Sequence, residues 1–185
     1  IRLDRPVQAA EIPSVALFIA ERLETLVGMW SVGGAPTGER DPYGLRRAAL
    51  GLISAFEQLA AGGLLAPGAN GPVALDVLLN EAADTFGVGR VEAAVVQEVQ
   101  TFIYERYRNQ LTIQHDRAAV DAVIALSPPL HQVTARVRAV EQFSEMPAAA
   151  SLAAANKRIG NLLKKAEGDI GNIDPGLLKE PAEHA

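Results

Sequence analysis

The segment that decides the fold is IAERLETLVGMWSVGGAPTGERDPYGLRRAALG, residues Ile19–Gly51, in which two helical patterns flank a glycine-rich connector. Apolar residues recur there every three or four positions, the period of a helix with one buried face. The spacing predicts a first helix from Ser14 to about Val32 and a second from Pro42 to Gly62-Gly63. The side chains expected in the core are Val15, Phe18, Ile19, Leu23, Leu26, Val27, Trp30, Leu45, Ala49, Leu52, Ile53 and Phe56.

The helical period continues along the rest of the chain, and no alternating strand pattern or internal repeat interrupts it. Further helices are predicted over 72–86, 90–112, 117–126, 128–145, 147–167 and 175–184. The pairs Asp41-Pro42, Ser127-Pro128 and Asp174-Pro175 are typical helix starts, because proline loses no hydrogen bond at the first helical position. We therefore expect an all-α, multi-helix bundle. In the longest helix the expected buried edge is Val91, Ala94, Val95, Val99, Phe102, Ile103 and Leu111.

Composition limits the function classes. The 185 residues are 49% hydrophobic, enough for one good core or two small ones, and no apolar run reaches the roughly 18 residues of a membrane span. The absence of cysteine excludes disulfides and thiolate metal sites and fits a reducing cytoplasm. The first residues, IRLDRPVQ, show neither an initiator Met nor a signal peptide, so we expect an internal cut.

Charge is distributed unevenly. The net charge is -5, but Thr101–Lys165 holds nine Lys and Arg against five Asp and Glu. Eight basic and 17 acidic residues are left for the rest of the chain. Because RNA binding depends on neutralising phosphates, any RNA contact should concentrate in that stretch.

Two motifs could indicate catalysis, and each has a structural interpretation. His115-Asp116 is the dipeptide of HD-type phosphohydrolases, but no histidine lies upstream of it, and Asp116 stands where a helix N-cap is expected. The Val32–Gly38 connector lacks the GK[ST] ending of a phosphate-binding loop, so a tight turn between helices is favoured. We expect no catalytic residue and no metal site.

Basic residues give the candidate binding surface. On the 147–167 helix, Leu152, Ala155, Ile159, Leu162, Leu163 and Ala166 form an apolar stripe that we expect to be buried. The opposite face carries Lys157, Asn161, Lys164 and Lys165. Cations and aromatic rings suited to phosphate contact and base stacking also occur elsewhere, although such charges can equally form a solvated face. These further residues are Tyr104, Arg106, Tyr107, Arg108, Arg136 and Arg138.

The chain resembles the β subunit of the bacterial two-subunit glycyl-tRNA synthetase at three places. The segment Ile19–Gly51 is similar to the family pattern ADKLDTLVGIF, a short glycine-containing loop and PTGSKDPFALRRAALG. Direct matches are Thr25, Leu26, Val27, Gly28, Pro36, Thr37, Gly38, Asp41, Pro42, Leu45, Arg46, Arg47, Ala48, Ala49, Leu50 and Gly51. Departures are Glu21, Arg22, Glu24, Glu39, Arg40, Tyr43 and Gly44, of which Gly44 should weaken the second helix slightly.

The other two similarities lie further along the chain. FIYERYRNQL at Phe102–Leu111 resembles a family helix of the FxxERLR type, and AANKRIGNLLKKA at Ala154–Ala166 resembles ANKRIxNILKKA. The latter is similar to the opening helix of the anticodon-binding bundle shared with arginyl-tRNA synthetase. The resemblance implies an HD-like helical region over 1–145 and the start of a DALR-like anticodon-binding domain over 146–185, with the last helices of that domain lacking.

The resemblance also implies a function. The whole enzyme attaches glycine to tRNA(Gly) with ATP and Mg²⁺, in an active site on a separate α subunit of an α2β2 cytoplasmic assembly, and tRNA binds largely to β. This chain would then be a non-catalytic tRNA-binding portion.

The residues expected to contact tRNA fall into two groups. On the 147–167 helix, phosphate contacts are expected from Lys157, Arg158, Asn161, Lys164 and Lys165. Secondary candidates are Arg46, Arg47, Arg106 and Arg108, and either of the first two could instead pair with Asp41 or Glu57.

Two alternatives remain open at this point. The helices could form a scaffold for subunit assembly without RNA contact, which the acidic surface outside 101–165 favours. An independent HD-type phosphohydrolase would instead need a bound divalent metal.

Overall fold

A computed structural model describes residues 3–38, 40–65 and 74–165, in which helices are joined by short connectors and there is no strand. The prediction of an all-α fold is confirmed. A short 3-10 helix, Ala9–Glu11, precedes α1 (Ile12–Ser31), α2 (Leu45–Ala61), α3 (Leu75–Asp84), α4 (Ala93–Leu111), α5 (Arg117–Ile124), α6 (Leu130–Ser144) and α7 (Ala149–Lys165). None of the described helices is long and apolar enough to cross a membrane.

The chain divides into two compact units, Ile1–Gln142 and Phe143–Ala185. Whether they correspond to the HD-like and DALR-like domains stays a prediction. The predicted helix at 175–184 and its Asp174-Pro175 start lie outside the described residues.

The first unit is organised around the packing of α1 against α2, with α3 and α4 completing the core. Leu26 and Val27 of α1 and Leu52 and Ile53 of α2 are fully buried, and side chains of that size contribute about 1.5–3 kcal/mol each when buried. The predicted core is confirmed for these two helices, with part of the set only half-buried: Phe18, Ile19 and Trp30.

The start of α2 differs from the prediction. The helix begins at Leu45 instead of Pro42, because the Asp41 side chain caps it from a position four residues before the first helical residue. The Asp41 carboxylate accepts hydrogen bonds from the main-chain N–H groups of Leu45, at 2.8 Å, and Arg46, at 3.0 Å. Gly44 lies in the left-handed region with φ of 66°, outside the helix. The expectation that Gly44 weakens α2 is therefore wrong, since glycine is the residue that this conformation favours.

The connector between α1 and α2 is held by its own hydrogen bonds, which confirms the structural interpretation of the glycine-rich segment. The Gly34 N–H donates to the Met29 carbonyl at 2.7 Å, and Thr37 and Arg40 exchange main-chain hydrogen bonds at 2.9 and 3.2 Å. The Arg46 guanidinium donates to the Gly38 carbonyl. The tight turn therefore uses the first residues of α2 as its anchor.

Helix α4 is buried on more of its circumference than predicted. Its expected edge is confirmed at Val99, Ile103 and Leu111, whereas Ala94 is exposed. Tyr104 and Tyr107 are also buried, which the sequence did not indicate.

The Tyr107 hydroxyl joins three helices. It donates to Glu57 Oε1 at 2.7 Å and lies 2.9 Å from Thr134 Oγ1, and Thr134 donates to the same carboxylate oxygen at 3.1 Å. These three residues, which we call the Glu57 network, link α2, α4 and α6.

Helix α5 starts at the predicted residue, whereas helix α6 starts later than predicted. Asp116 is the N-cap of α5, as predicted, and its carboxylate accepts the Ala119 N–H at 2.9 Å. Helix α6 begins at Leu130 instead of 128, since Ser127 adopts a positive φ of 44° and the Pro128 carbonyl accepts the Tyr104 hydroxyl at 2.6 Å.

The second unit is described through α7. The apolar stripe predicted to be buried is exposed: Leu152, Ile159, Leu162 and Leu163 are 51–61% accessible, Ala155 is also exposed, and Ala166 lies outside the described residues. The prediction is wrong because helical spacing shows only that a face is apolar. The described part of this unit contains no second complete helix to cover it.

We expect Asp41→Ala to lower the free energy of unfolding by about 1 kcal/mol, since two main-chain donors at the start of α2 lose their acceptor. Urea unfolding followed by circular dichroism measures the change. Asp41→Asn, which keeps one acceptor oxygen, should lose less. Equal stability of wild type and Asp41→Ala would contradict the role of this cap.

Candidate RNA-contact surfaces

Helix α7 carries a strongly cationic face. Lys157, Arg158, Asn161 and Lys165 recur at three- and four-residue spacing and line a groove of about 340 Å³ on that helix. All four side chains are exposed, as is Lys164 on the same side. The helix contains no acidic residue. The structure thus brings together all five residues predicted on this helix.

The four α7 cations have no partner within the part of the chain that the structure describes. They make neither a hydrogen bond nor an ion pair with another described residue of their own unit, 143–165. Their charge is therefore not neutralised by the described fold, and a phosphate could approach them without first breaking a described ion pair.

The group around Arg106 and Arg108 does not form the predicted stacking surface. Tyr104 and Tyr107 belong to the core, where burial raises the pKa of Tyr104 to about 12 and also raises that of Tyr107. No ring of this pair is open to a base. The sequence misled here because an aromatic residue beside arginine occurs both in RNA surfaces and at the edge of a helix core.

The two arginines of this group already have contacts. Arg108 makes a two-pronged contact with Asp121, in which Nη2 is 3.0 Å from Oδ2; this pair raises the pKa of Arg108 and lowers that of Asp121. Arg106 lies over the Phe102 ring, 5.2 Å from its centroid. On α6, Arg136 donates to Gln132 at 2.8 Å and Arg138 is exposed.

The Arg46 and Arg47 pair divides into one structural and one accessible residue. Arg46 is bonded through its main chain to Asp41 and through its guanidinium to the connector. Arg47 is exposed and forms no ion pair with another described residue. Glu57, the other partner considered for these arginines, accepts hydrogen bonds from Tyr107 and Thr134 instead.

A surface that the sequence did not single out lies beside Arg47. Tyr43 is 57% exposed and lines a groove of about 290 Å³ together with Arg40 and the glycines of the connector. No signal in the sequence indicated this surface, because the predicted helix start at Pro42 places Tyr43 inside the second helix, whereas α2 begins at Leu45.

The His115-Asp116 dipeptide has a structural use. Glu141 of α6 accepts the Asp116 main-chain N–H at 2.8 Å and lies 2.9 Å from His115 Nδ1, while the Asp116 carboxylate caps α5. Within the described ranges, no group of three or more His, Asp or Glu residues could hold a metal ion. The pKa of Glu141 is lowered mainly by the hydrogen bond from the Asp116 main chain and, to a smaller extent, by the contact with His115.

Comparison with known proteins gives the family. The sequence model described as "Glycyl-tRNA synthetase beta subunit" matches residues 6–125. The chain belongs to the glycyl-tRNA synthetase beta subunit family, which is the family that its sequence resembles.

The curated relatives carry the same name. The glycine–tRNA ligase beta subunit of Leptothrix cholodnii is 42% identical over 174 residues, covering 90% of this chain and 22% of that protein. That of Neisseria meningitidis is 39% identical over 175 residues, covering 93% and 23%, and that of a Janthinobacterium species is 44% identical over 170 residues, covering 90% and 23%. The chain thus spans less than a quarter of the length of these relatives.

The pairing of Glu141 predicts a pH dependence. Because its folded pKa is depressed, its stabilisation is complete above the ordinary value of 4.5 and is lost as the pH falls towards the lower folded pKa. The difference in unfolding free energy between wild type and Glu141→Gln should shrink as the pH falls below about 4.5.

Urea unfolding at a series of pH values measures this difference. Glu145→Gln removes the same charge from an exposed glutamate that has no described partner, and its difference from wild type should not shrink in acid. A Glu141→Gln difference that is unchanged between neutral and acid pH would contradict the assignment.

Proposed function

We propose that this chain is a tRNA-binding portion of the β subunit of a glycine–tRNA ligase and that it contributes no catalytic group. The whole enzyme would attach glycine to tRNA(Gly) with ATP and Mg²⁺ bound on the α subunit, in a cytoplasmic α2β2 assembly. Family membership supports the ligase, and the cationic face of α7 supports RNA binding. That face is the observation that carries the proposal.

The chemistry of α7 suits a phosphate backbone. Four cations on a helix of 17 residues without a carboxylate create a locally positive surface on a chain whose net charge is -5. Lysines act as point charges on flexible stems, so they neutralise phosphates without reading a base. Asn161, between them in the groove, can donate to a phosphate or ribose oxygen. This surface would hold tRNA in position and leave sequence discrimination to other contacts.

A scaffold for subunit assembly is the second candidate, and an apolar groove of the first unit favours it. The groove has a volume of about 330 Å³ and is lined by apolar side chains from α1, α2, α3 and the residues that follow α2. Among these side chains are Ile12, Ile19, Leu23, Phe56, Leu59, Leu64, Leu65 and Leu78. Exposed apolar surface of this kind is typical of protein contacts. The two candidates predict different effects of salt, and of removing the α7 charges, on tRNA binding.

The test replaces Lys157, Lys164 and Lys165 by alanine together. Alanine keeps the helix propensity of α7, so the change removes charge and not structure. We expect tRNA affinity to fall at least about tenfold at 0.15 M salt, and the slope of log affinity against log salt to fall by about two to three, since each phosphate contact contributes about 0.7–0.9. Filter binding at several salt concentrations gives both numbers.

The matched control replaces the same three lysines by arginine, which keeps the charge and should keep most of the affinity and the slope. Circular dichroism checks that α7 remains helical in both variants. Absence of tRNA binding by wild type at low salt, or an unchanged slope in the alanine variant, would contradict the proposal and favour the scaffold.

A further inference from the structure

We propose that the connector between α1 and α2 is a second RNA site, in which an unpaired base stacks on Tyr43 while Arg40 and Arg47 contact the neighbouring phosphates. The proposal rests on the proposed function, because it takes RNA as the ligand. It places the contact on a different part of the chain from α7 and gives it a different chemistry, since a stacked base is held by an aromatic face and not by charge alone.

The Tyr43 ring is exposed but held in place. Of the three tyrosines in the chain, Tyr104 and Tyr107 are buried and Tyr43 is 57% accessible. One edge of the ring lies close to Gly34, where an added Cβ would lie 3.4 Å from Tyr43 Cε2 and 2.8 Å from the Met29 carbonyl oxygen. This contact with the backbone restricts the ring, which lowers the entropy lost when a base stacks on it.

Two exposed arginines lie close to Tyr43 in the sequence. Arg40 lines the same groove as Tyr43, and the Arg47 guanidinium lies over the backbone of Gly44, the residue that follows Tyr43, where an added Cβ would be 3.0 Å from Nη2. Both arginines are exposed, and neither forms an ion pair with a residue that the structure describes. Arg46 between them in sequence is already bonded to Gly38, so the accessible positive charge comes from Arg40 and Arg47.

An exposed aromatic ring with exposed arginines three residues before it and four residues after it fits a nucleobase with phosphates on either side. The groove of about 290 Å³ lies near the lower limit of ligand pockets, roughly 300 Å³, which suits one nucleoside and not a duplex. A free nucleotide offers the same chemistry, but the connector lacks the lysine and Ser or Thr of a triphosphate-binding loop. We therefore commit to an unpaired nucleotide of an RNA strand, whose remaining contacts add to a single stacking interaction.

The first experiment measures binding of the whole chain to fluorescein-labelled oligoadenylate of about 12 nucleotides and to tRNA. We expect Tyr43→Ala to weaken binding of the oligonucleotide by roughly 5- to 150-fold, the range found for loss of one stacked base, with the salt slope unchanged. Tyr43→Phe keeps the ring and should bind within about twofold of wild type. Equal binding by Tyr43→Ala and wild type, or equal losses in the Ala and Phe variants, would overturn the proposal.

The arginine variants separate a specific contact from general charge. Arg47→Gln should lower the salt slope by about 0.7, the contribution of one phosphate contact on a single strand. Arg90→Gln removes one charge from an exposed arginine in a different loop and should leave the slope unchanged. Equal effects of the two variants would show a general charge effect and overturn the contact of Arg47.

The second experiment uses wild-type protein, so it does not depend on a variant that folds. An oligonucleotide carrying a photoreactive uridine analogue is crosslinked, and the attached peptide is identified by mass spectrometry. We expect attachment at Tyr43, and loss of the crosslink with unlabelled oligoadenylate but not with an equal concentration of AMP. Absence of a Tyr43 crosslink, or displacement by AMP as effective as by RNA, would overturn the proposal.

The two RNA proposals fail in different ways. Loss of binding in the α7 alanine variant with no effect of Tyr43→Ala keeps the proposed function and overturns the connector site. An effect of Tyr43→Ala with an unchanged α7 variant keeps the connector site and overturns α7 as the surface that carries tRNA binding.

Discussion

Two hydrogen bonds that the Asp41 carboxylate accepts from the main-chain N–H groups of Leu45 and Arg46 determine where α2 starts, and the first unit depends on that start. In the helix that begins there, Ala49, Leu52 and Ile53 are fully buried, and α2 packs against α1. It also sends the Arg46 guanidinium back to the connector and leaves Tyr43 outside the helix. The Asp41 cap thus sets both the start of a core helix and the shape of the connector surface that contains Tyr43.

The features that could be predicted from the sequence are those that depend on residues close together in the chain. The apolar period located α1, α2 and half of the buried residues of α4, and the Asp116 cap followed from its position before an apolar run. The prediction failed where burial depends on which other helices pack against a helix. Tyr104 and Tyr107 are core residues because α4 packs against α2, α3 and α5, and no pattern within α4 shows how many sides of it are covered.

The candidate site shows the same limit in its charges. Counting residues located the basic stretch, but only the fold shows which cations are already used. Arg108 is neutralised by Asp121, 13 residues away on the next helix, whereas the cations of α7 have no described partner. Arg46 and Arg47 are adjacent and of one type, yet one holds the connector and the other is accessible. The family name could not separate them, because both match its signature.

The Glu57 network has a consequence for any redesign of the first unit. One carboxylate oxygen accepts two hydroxyl groups from different helices, so the three side chains satisfy one another. Changing one of them leaves a partly buried polar group without its partner, which costs more than the hydrogen bond itself contributes. Replacing all three by apolar side chains of similar shape removes that penalty. These positions on α2, α4 and α6 therefore behave as a single unit of substitution, to be exchanged together or kept together.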